Sequence, residues 1–281
     1  AWFDPPKSPG GKRFLTPAEV GVLGDETVDL KDVSATIVDL ARRGHLRIEE
    51  RRKGEFWLVK TGENETELLP FEKILLDKFF KSKTEINLKK EKLYSQVEEV
   101  KKAIYEQVVT AGLFPKNPEK IRSFYYILLA LSIFSANFLL FFSSLIFGLR
   151  MPKKTKEGAD AKNTAFSLRN FLQSQERQLK FQADKQMLFE KLLPYAIVFG
   201  VEKIWAKRFE DLDIKPPSWY KSYSSDNVFN SAYFVNSLNS SMSGFIHAAN
   251  PTRSSSGFSS GFSSGGGFSG GGGGGGGGGS W

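Results

Sequence analysis

The chain of 281 residues has a formal net charge of +8, a hydrophobic fraction of 40% and no cysteine, which excludes disulfides, thiolate metal sites and cysteine nucleophiles. The charge is uneven, with 23 basic against 21 acidic residues before position 123 and 14 against 9 over 150–220. A nearly neutral first half excludes a strong phosphate-attracting face there, and the basic excess falls just after the most apolar part of the chain.

The first residues, AWFDPP, lack both Met and a signal peptide, the pattern expected of a fragment of a longer protein. Thr16-Pro17-Ala18-Glu19 is a helix-start signal: a Thr cap, Pro at the first helical position, and Glu three residues after the cap. A short helix through Leu23 should follow. From Asp29 or Leu30 to Arg43, Val33, Ile37, Leu40 and Ala41 recur at helical spacing, and Gly44 supplies a left-handed stop. The period then changes to two. Residues 45–49 and 55–59 alternate around a turn at Arg51-Arg52-Lys53-Gly54, which predicts a β-hairpin.

Helix, helix, hairpin is the order of a winged-helix unit, a fold that often places its last helix in the DNA major groove. The helix over 30–43 is expected to expose Lys31, Asp32, Asp39, Arg42 and Arg43, a mixed face that attracts phosphate weakly, so protein contact is favoured over DNA. A second helical pair follows: Phe71, Ile74, Leu75 and Phe79 mark one amphipathic helix, and Leu93, Val97, Val100, Ile104 and Val108 mark a longer one ending at Gly112. Thr84 to Leu88 adds a short strand between them. Pro115 and Pro118 then break the chain.

Ser123 to Leu149 is 27 residues long and carries no charge. Its Leu, Ile and Phe side chains favour insertion by roughly 0.3 to 0.6 kcal/mol each, which outweighs one Asn and several Ser. As one helix it would reach about 40 Å, more than the ~30 Å hydrocarbon core. A transmembrane helix is therefore expected, with Tyr125 and Tyr126 at an interface. Both flanks are basic, Lys116, Lys120 and Arg122 before the stretch and Arg150, Lys153, Lys154 and Lys156 after it. Positive-inside logic therefore leaves open a single crossing or a short re-entrant hairpin around Asn137. Arg150, Lys153, Lys154 and Lys156 form the expected contact with lipid headgroups.

Beyond the apolar stretch a helix is predicted over about 157–186, then a more apolar one over 188–212 with a kink or break at Pro194. Phe189, Tyr195, Phe199, Trp205 and Phe209 on the second helix form a packing stripe. From Lys221 the composition turns to Ser, Gly, Asn and Phe, ending in ten glycines over 270–279 before Ser280 and Trp281. A chain so poor in aliphatic residues does not offset its ordering entropy and is expected to be disordered.

No catalytic set is legible. The two histidines, His45 and His247, have no metal-ligand partner at helical spacing, and Gly10-Gly11-Lys12 lacks the spacing of a phosphate loop. The acidic pairs Glu49 with Glu50 and Glu98 with Glu99 are expected on solvated faces. Neither a cofactor nor an enzymatic activity is called for.

Several segments together resemble the C-terminal part of the YciQ-like predicted membrane proteins, a bacterial and archaeal family also termed domain of unknown function 2207. They are Pro5-Pro6, LTPAEVG at 15–21, SATIVDLARRGHLRIEE at 34–50, LPFEKILLD at 69–77, GLF at 112–114, RMPKKTKEG at 150–158, LLPYAIVFGVEKIWAKRFEDL at 192–212 and the Gly-rich ending in Ser-Trp. The resemblance implies a cell-membrane protein whose upstream part holds an extracytoplasmic β-rich domain and another span, with the present region mostly cytoplasmic. It carries over no catalytic residue. Relatives have two adjacent spans before the RMPKKT-like motif, and 27 residues do not cross twice, because two crossings need roughly forty.

The expected fold class is mainly α with small β-hairpins. It comprises a winged-helix-like α+β domain over 1–115, a linker over 116–122, a transmembrane segment over 123–149, a basic helical region over 150–220 and a disordered Ser/Gly-rich tail over 221–281. The expected function is that of an integral membrane protein acting as an anchored interaction or scaffold protein, with a membrane-tethered transcriptional regulator as the alternative. The expected partners are the lipid bilayer and an unidentified protein.

Overall fold

A computed structural model describes residues 4–135, 137–150, 153–174, 185–210, 212, 214–223 and 229–249. By contacts the chain divides into Ala1–Pro251 and Thr252–Trp281, and the second unit lies outside the described residues. Helix α1 (Pro17–Asp25) starts at the Thr16 cap with both halves of the capping box formed, because the Glu19 carboxylate accepts the Thr16 N–H at 2.8 Å while the Thr16 hydroxyl accepts the Glu19 N–H. Helix α2 (Leu30–Arg42) uses the same device from Asp29 and Asp32. Strands β1 (Leu46–Arg52) and β2 (Glu55–Lys60) form the antiparallel hairpin, turned at Gly54 with φ of 71°, a value that favours a residue without Cβ. Helix α3 (Pro70–Phe80), strand β3 (Glu85–Asn87) and helix α4 (Tyr94–Thr110) follow.

The chain after the apolar stretch folds back onto these elements. Helices α5 (Pro118–Phe134) and α6 (Phe138–Arg150) pack on each other. Beyond them α7 (Lys156–Gln173) packs on α1, and α8 (Lys185–Val198) packs on α1 and α2. Helix α9 (Glu202–Lys207) leads to strand β4 (Tyr220–Lys221), which pairs parallel to β1, Ile48 opposite Tyr220, and completes a four-stranded sheet of order β3-β2-β1-β4. Helix α10 (Ser231–Ala249) packs on α9 and α4. One apolar core contains Leu23, Ile37, Phe56 and Phe71 from before α5 together with Leu172, Phe189, Trp205 and Phe234 from after α6.

Four expectations are corrected. The first is the transmembrane helix over 123–149: the stretch is divided between α5, which ends at Phe134, and α6, which starts at Phe138, about 25 and 20 Å long, and no helix among the described residues is long and apolar enough to cross a membrane. The second is the winged-helix-like fold. Helix, helix and hairpin occur in order, but α2 buries ten of its thirteen residues, Asp32 and Asp39 among them, because α8 covers the face a winged helix would present. The third is the disordered tail. Residues 220–221 form a strand and 231–249 a helix, held by buried Phe234, Val235 and Leu238 at helical spacing, while residues 250–281 lie outside the described residues. The fourth is the break at Pro194, since α8 runs through it and ends near Gly200, whose φ of 67° is left-handed. Part of the helix expected over 157–186 is α7, and residues 175–184 of it lie outside the described residues.

Candidate membrane-facing site

The hairpin is built from local chemistry. Asn117 accepts the N–H groups of Glu119 and Lys120 and Pro118 takes the first helical position, so α5 starts sharply. Asn137, the residue on which the sequence centres a turn, donates its N–H to the Ser132 carbonyl at 3.0 Å, and its side chain accepts the Leu140 N–H at 3.1 Å, stopping one helix and starting the next. The hydroxyls of Ser132, Ser135 and Ser143 donate to carbonyls three or four residues back. A polar group that is satisfied within its own helix makes no demand on the surroundings, the condition hydrocarbon imposes.

Burial in the hairpin is inverted relative to the domain. Ser132 and Ser144 are buried, whereas Phe124, Ile127, Leu131, Phe142 and Ile146 are exposed. Small residues inside let two helices approach closely. The tip is the most exposed part, with Phe134 at 91% and Leu139 at 85%. An exposed apolar surface this continuous marks a protein or membrane contact.

The base of the hairpin is closed. Thr155 donates its N–H to the Leu113 carbonyl at 3.0 Å and its hydroxyl to the Gly112 carbonyl at 2.7 Å, and the same hydroxyl accepts the Gly158 N–H to cap α7. A Cβ on Gly158 would lie 2.2 Å from the Leu113 carbonyl oxygen, so only glycine permits this approach. The GLF and KEG segments, read from sequence as unconnected motifs, are thus two sides of one joint.

The basic cluster is divided by this joint. Lys153 and Lys156 are exposed. Lys154 is withdrawn from solvent into an ion pair with Glu26 and lies over the Phe114 ring, 5.3 Å from its centroid. The Arg150 side chain lies outside the described residues. Nearby, an open groove of about 860 Å³ between the end of α4 and the start of α5 is walled by Val109, Ile121, Phe124 and Tyr125, with Lys116, Lys120 and Glu106 among its polar lining. The lysines were read from sequence as flanking charge; that they border a groove depends on how the chain turns from α4 into α5, which spacing alone does not specify.

Several acidic groups outside the hairpin are buried in the domain. Glu19 is buried against Arg13 and Gln107. Glu50, expected on a solvated face, is buried instead and accepts the Gly54 N–H and the Tyr220 hydroxyl, each at 2.8 Å. Burial, with the Asp29 and Asp25 charges, pushes the Asp32 carboxyl well above the usual carboxylate range, against the opposing Asp29 N–H. Burial also raises the Glu72 carboxyl despite its Arg43 partner. Burial and the Arg43 charge lower the His45 imidazole; the His247 side chain lies outside the described residues. Among the described residues no three His, Asp or Glu side chains are grouped to hold a metal.

A family model described as predicted membrane protein (DUF2207) C-terminal domain matches residues 2–150 and, separately, 129–209. Both matches include 129–150, so most of α5–α6 is fitted twice. No curated protein and no solved structure matches the chain. The two matches between them cover the groove, the apolar hairpin and both sides of the joint, and the chain belongs to the DUF2207 family of predicted membrane proteins.

Proposed function

We propose that the protein is a membrane-anchored interaction or scaffold protein whose α5–α6 hairpin dips into one leaflet and returns, leaving the rest of the described chain on the side it entered from. The observation that carries this reading is the closed base, Thr155 N–H to Leu113 carbonyl at 3.0 Å, because a chain joined there is on one side of the bilayer both before and after the apolar stretch. The depth agrees. The uncharged parts of α5 and α6, residues 123–134 and 138–149, are each about 18 Å long, slightly more than half of the ~30 Å hydrocarbon core. With both flanks on one side, their lysines and arginines no longer oppose each other in the positive-inside rule and jointly favour the cytoplasmic face. The buried α2 removes the helix that a DNA-reading role would need.

Cysteines placed one at a time at exposed Lys53 and Asn163 test this in intact cells, since the sequence has none of its own. Both sites should resist a membrane-impermeant maleimide until the cells are lysed. Labelling of either one in intact cells overturns the reading.

A further inference from the structure

We propose that the groove between α4 and α5 holds the phosphate of an anionic phospholipid headgroup between Lys116 and Lys120. This rests on the hairpin entering the bilayer, because Lys116 and Lys120 lie just before Ser123, where the uncharged stretch begins, and so sit at headgroup depth when the apolar part is immersed. Lys116 precedes the Asn117 cap and Lys120 lies in the first turn of α5, and both line the groove. Neither takes part in an ion pair among the described residues, unlike Lys101 and Lys154. The first N–H groups of α5 are occupied by Asn117, so the ammonium groups, not the helix end, supply the attraction. Val109, Ile121, Phe124 and Tyr125 give the same groove an apolar wall. A soluble phosphate compound has no use for that wall, whereas the glycerol backbone and first acyl carbons of a lipid do. Glu106 on the lining opposes the anion and limits its affinity.

Flotation of the purified full chain with vesicles of phosphatidylcholine alone, or of phosphatidylcholine mixed with phosphatidylglycerol, tests the site. The wild type should bind both and prefer the mixture. Two juxtamembrane lysines acting only through surface potential are worth roughly 30-fold, so a specific site requires the Lys116→Gln, Lys120→Gln double variant to lose more than about 30-fold on anionic vesicles while keeping its binding to neutral ones. Lys153→Gln with Lys156→Gln removes the same charge outside the groove and should lose less. Equal losses in the two double variants mean diffuse attraction and overturn the site, as does an unchanged preference in the first. Glu106→Gln should strengthen anionic binding, and a decrease counts against the groove. Displacement from anionic vesicles by glycerol 3-phosphate assigns the site to a soluble phosphate and overturns the lipid. Failure of the wild type to float with either vesicle is a different result, which removes the hairpin reading itself.

Discussion

In the domain, Trp205, Phe56 and Phe71 are fully enclosed together with Glu19 and Glu50, whereas in the α5–α6 hairpin Phe134, Phe138 and Leu139 face outward and Ser132 is turned in. The same residue types thus take opposite positions within one compact unit. In water the apolar atoms gain by leaving solvent, roughly 25 cal/mol per Å²; in hydrocarbon that gain vanishes and close contact of small residues takes over. On the proposed reading the joint at Leu113, Thr155 and Gly158 is where one regime meets the other, and it is built from hydrogen bonds of the Thr155 N–H and hydroxyl and a glycine contact.

The sharpest way to break the contrast is to truncate one large side chain in each region. Trp205 is buried against Phe209 and Phe171, with ring centroids 4.9 and 5.9 Å away, so Trp205→Ala should cost about 3–5 kcal/mol in urea unfolding. Phe134→Ala should change that stability by less than about 0.5 kcal/mol and instead weaken vesicle binding by roughly 10- to 100-fold, the loss of one buried aromatic. A comparable stability loss at both positions would mean that protein, not lipid, covers the tip. The joint is next. Alanine at a helical position normally gains up to about 1 kcal/mol over glycine, but at Gly158 the new Cβ would overlap the Leu113 carbonyl oxygen at 2.2 Å. Overpacking of about 1–3 kcal/mol outweighs the gain, so Gly158→Ala should lower the melting temperature and open the base to proteolysis near residue 115.

What was legible in the sequence is what is decided locally. Thr16 with Glu19 is a capping box within four residues, and Asn137 is an amide within the uncharged stretch whose side chain caps the helix that follows it. What was not legible depends on partners far away in the chain. The polar residues Asp32 and Asp39 pattern as a solvated face until α8, some 150 residues later, covers them. Strand β4 has two residues, and nothing in Tyr220-Lys221 announces a parallel partner at Ile48. Lys154 looks like its neighbours in the basic run, yet Glu26 pairs with it and withdraws it from solvent. Length misled as well: 27 uncharged residues suit one crossing by count, but the stretch divides into two helices, the second capped by Asn137. Gly21, the last residue of the LTPAEVG motif, is explained only by Asp32, whose carboxylate occupies the space a Cβ would need.

That carboxylate gives a test on the domain side of the contrast alone. Asp32 has a raised pKa in the folded chain because of burial and the Asp29 and Asp25 charges. A carboxyl that holds its proton more tightly when folded favours the folded state most below its unfolded pKa of about 3.9, and this support is lost as pH rises from there through the folded value. Asp32→Asn keeps an acceptor for the Asp29 N–H, which donates at 2.7 Å, and cannot ionise. Its stability relative to wild type should therefore rise as pH is increased from 4 toward neutrality. Glu72, also raised by burial, leaves a residual slope common to both proteins. Parallel curves for the two would place the Asp32 carboxylate in water.

The last contrast concerns how the C-terminal segment is fastened to the sheet. Glu50 accepts the Tyr220 hydroxyl at 2.8 Å and that of half-exposed Tyr233 at 3.4 Å. Removing the first donor leaves a buried carboxylate less well satisfied and should cost about 1.5–3 kcal/mol, whereas the second bond is long and partly solvated, so Tyr233→Phe should cost less than about 0.5 kcal/mol. Tyr220 also packs against Phe234 with the rings tilted, 4.3 Å between centroids, and Tyr220→Phe keeps that contact, so its loss relative to wild type isolates the hydroxyl. Equal effects from the two would mean that β4 and α10 are held by their aromatic cluster alone, and that the Glu50 carboxylate draws its stabilisation from the Gly54 N–H.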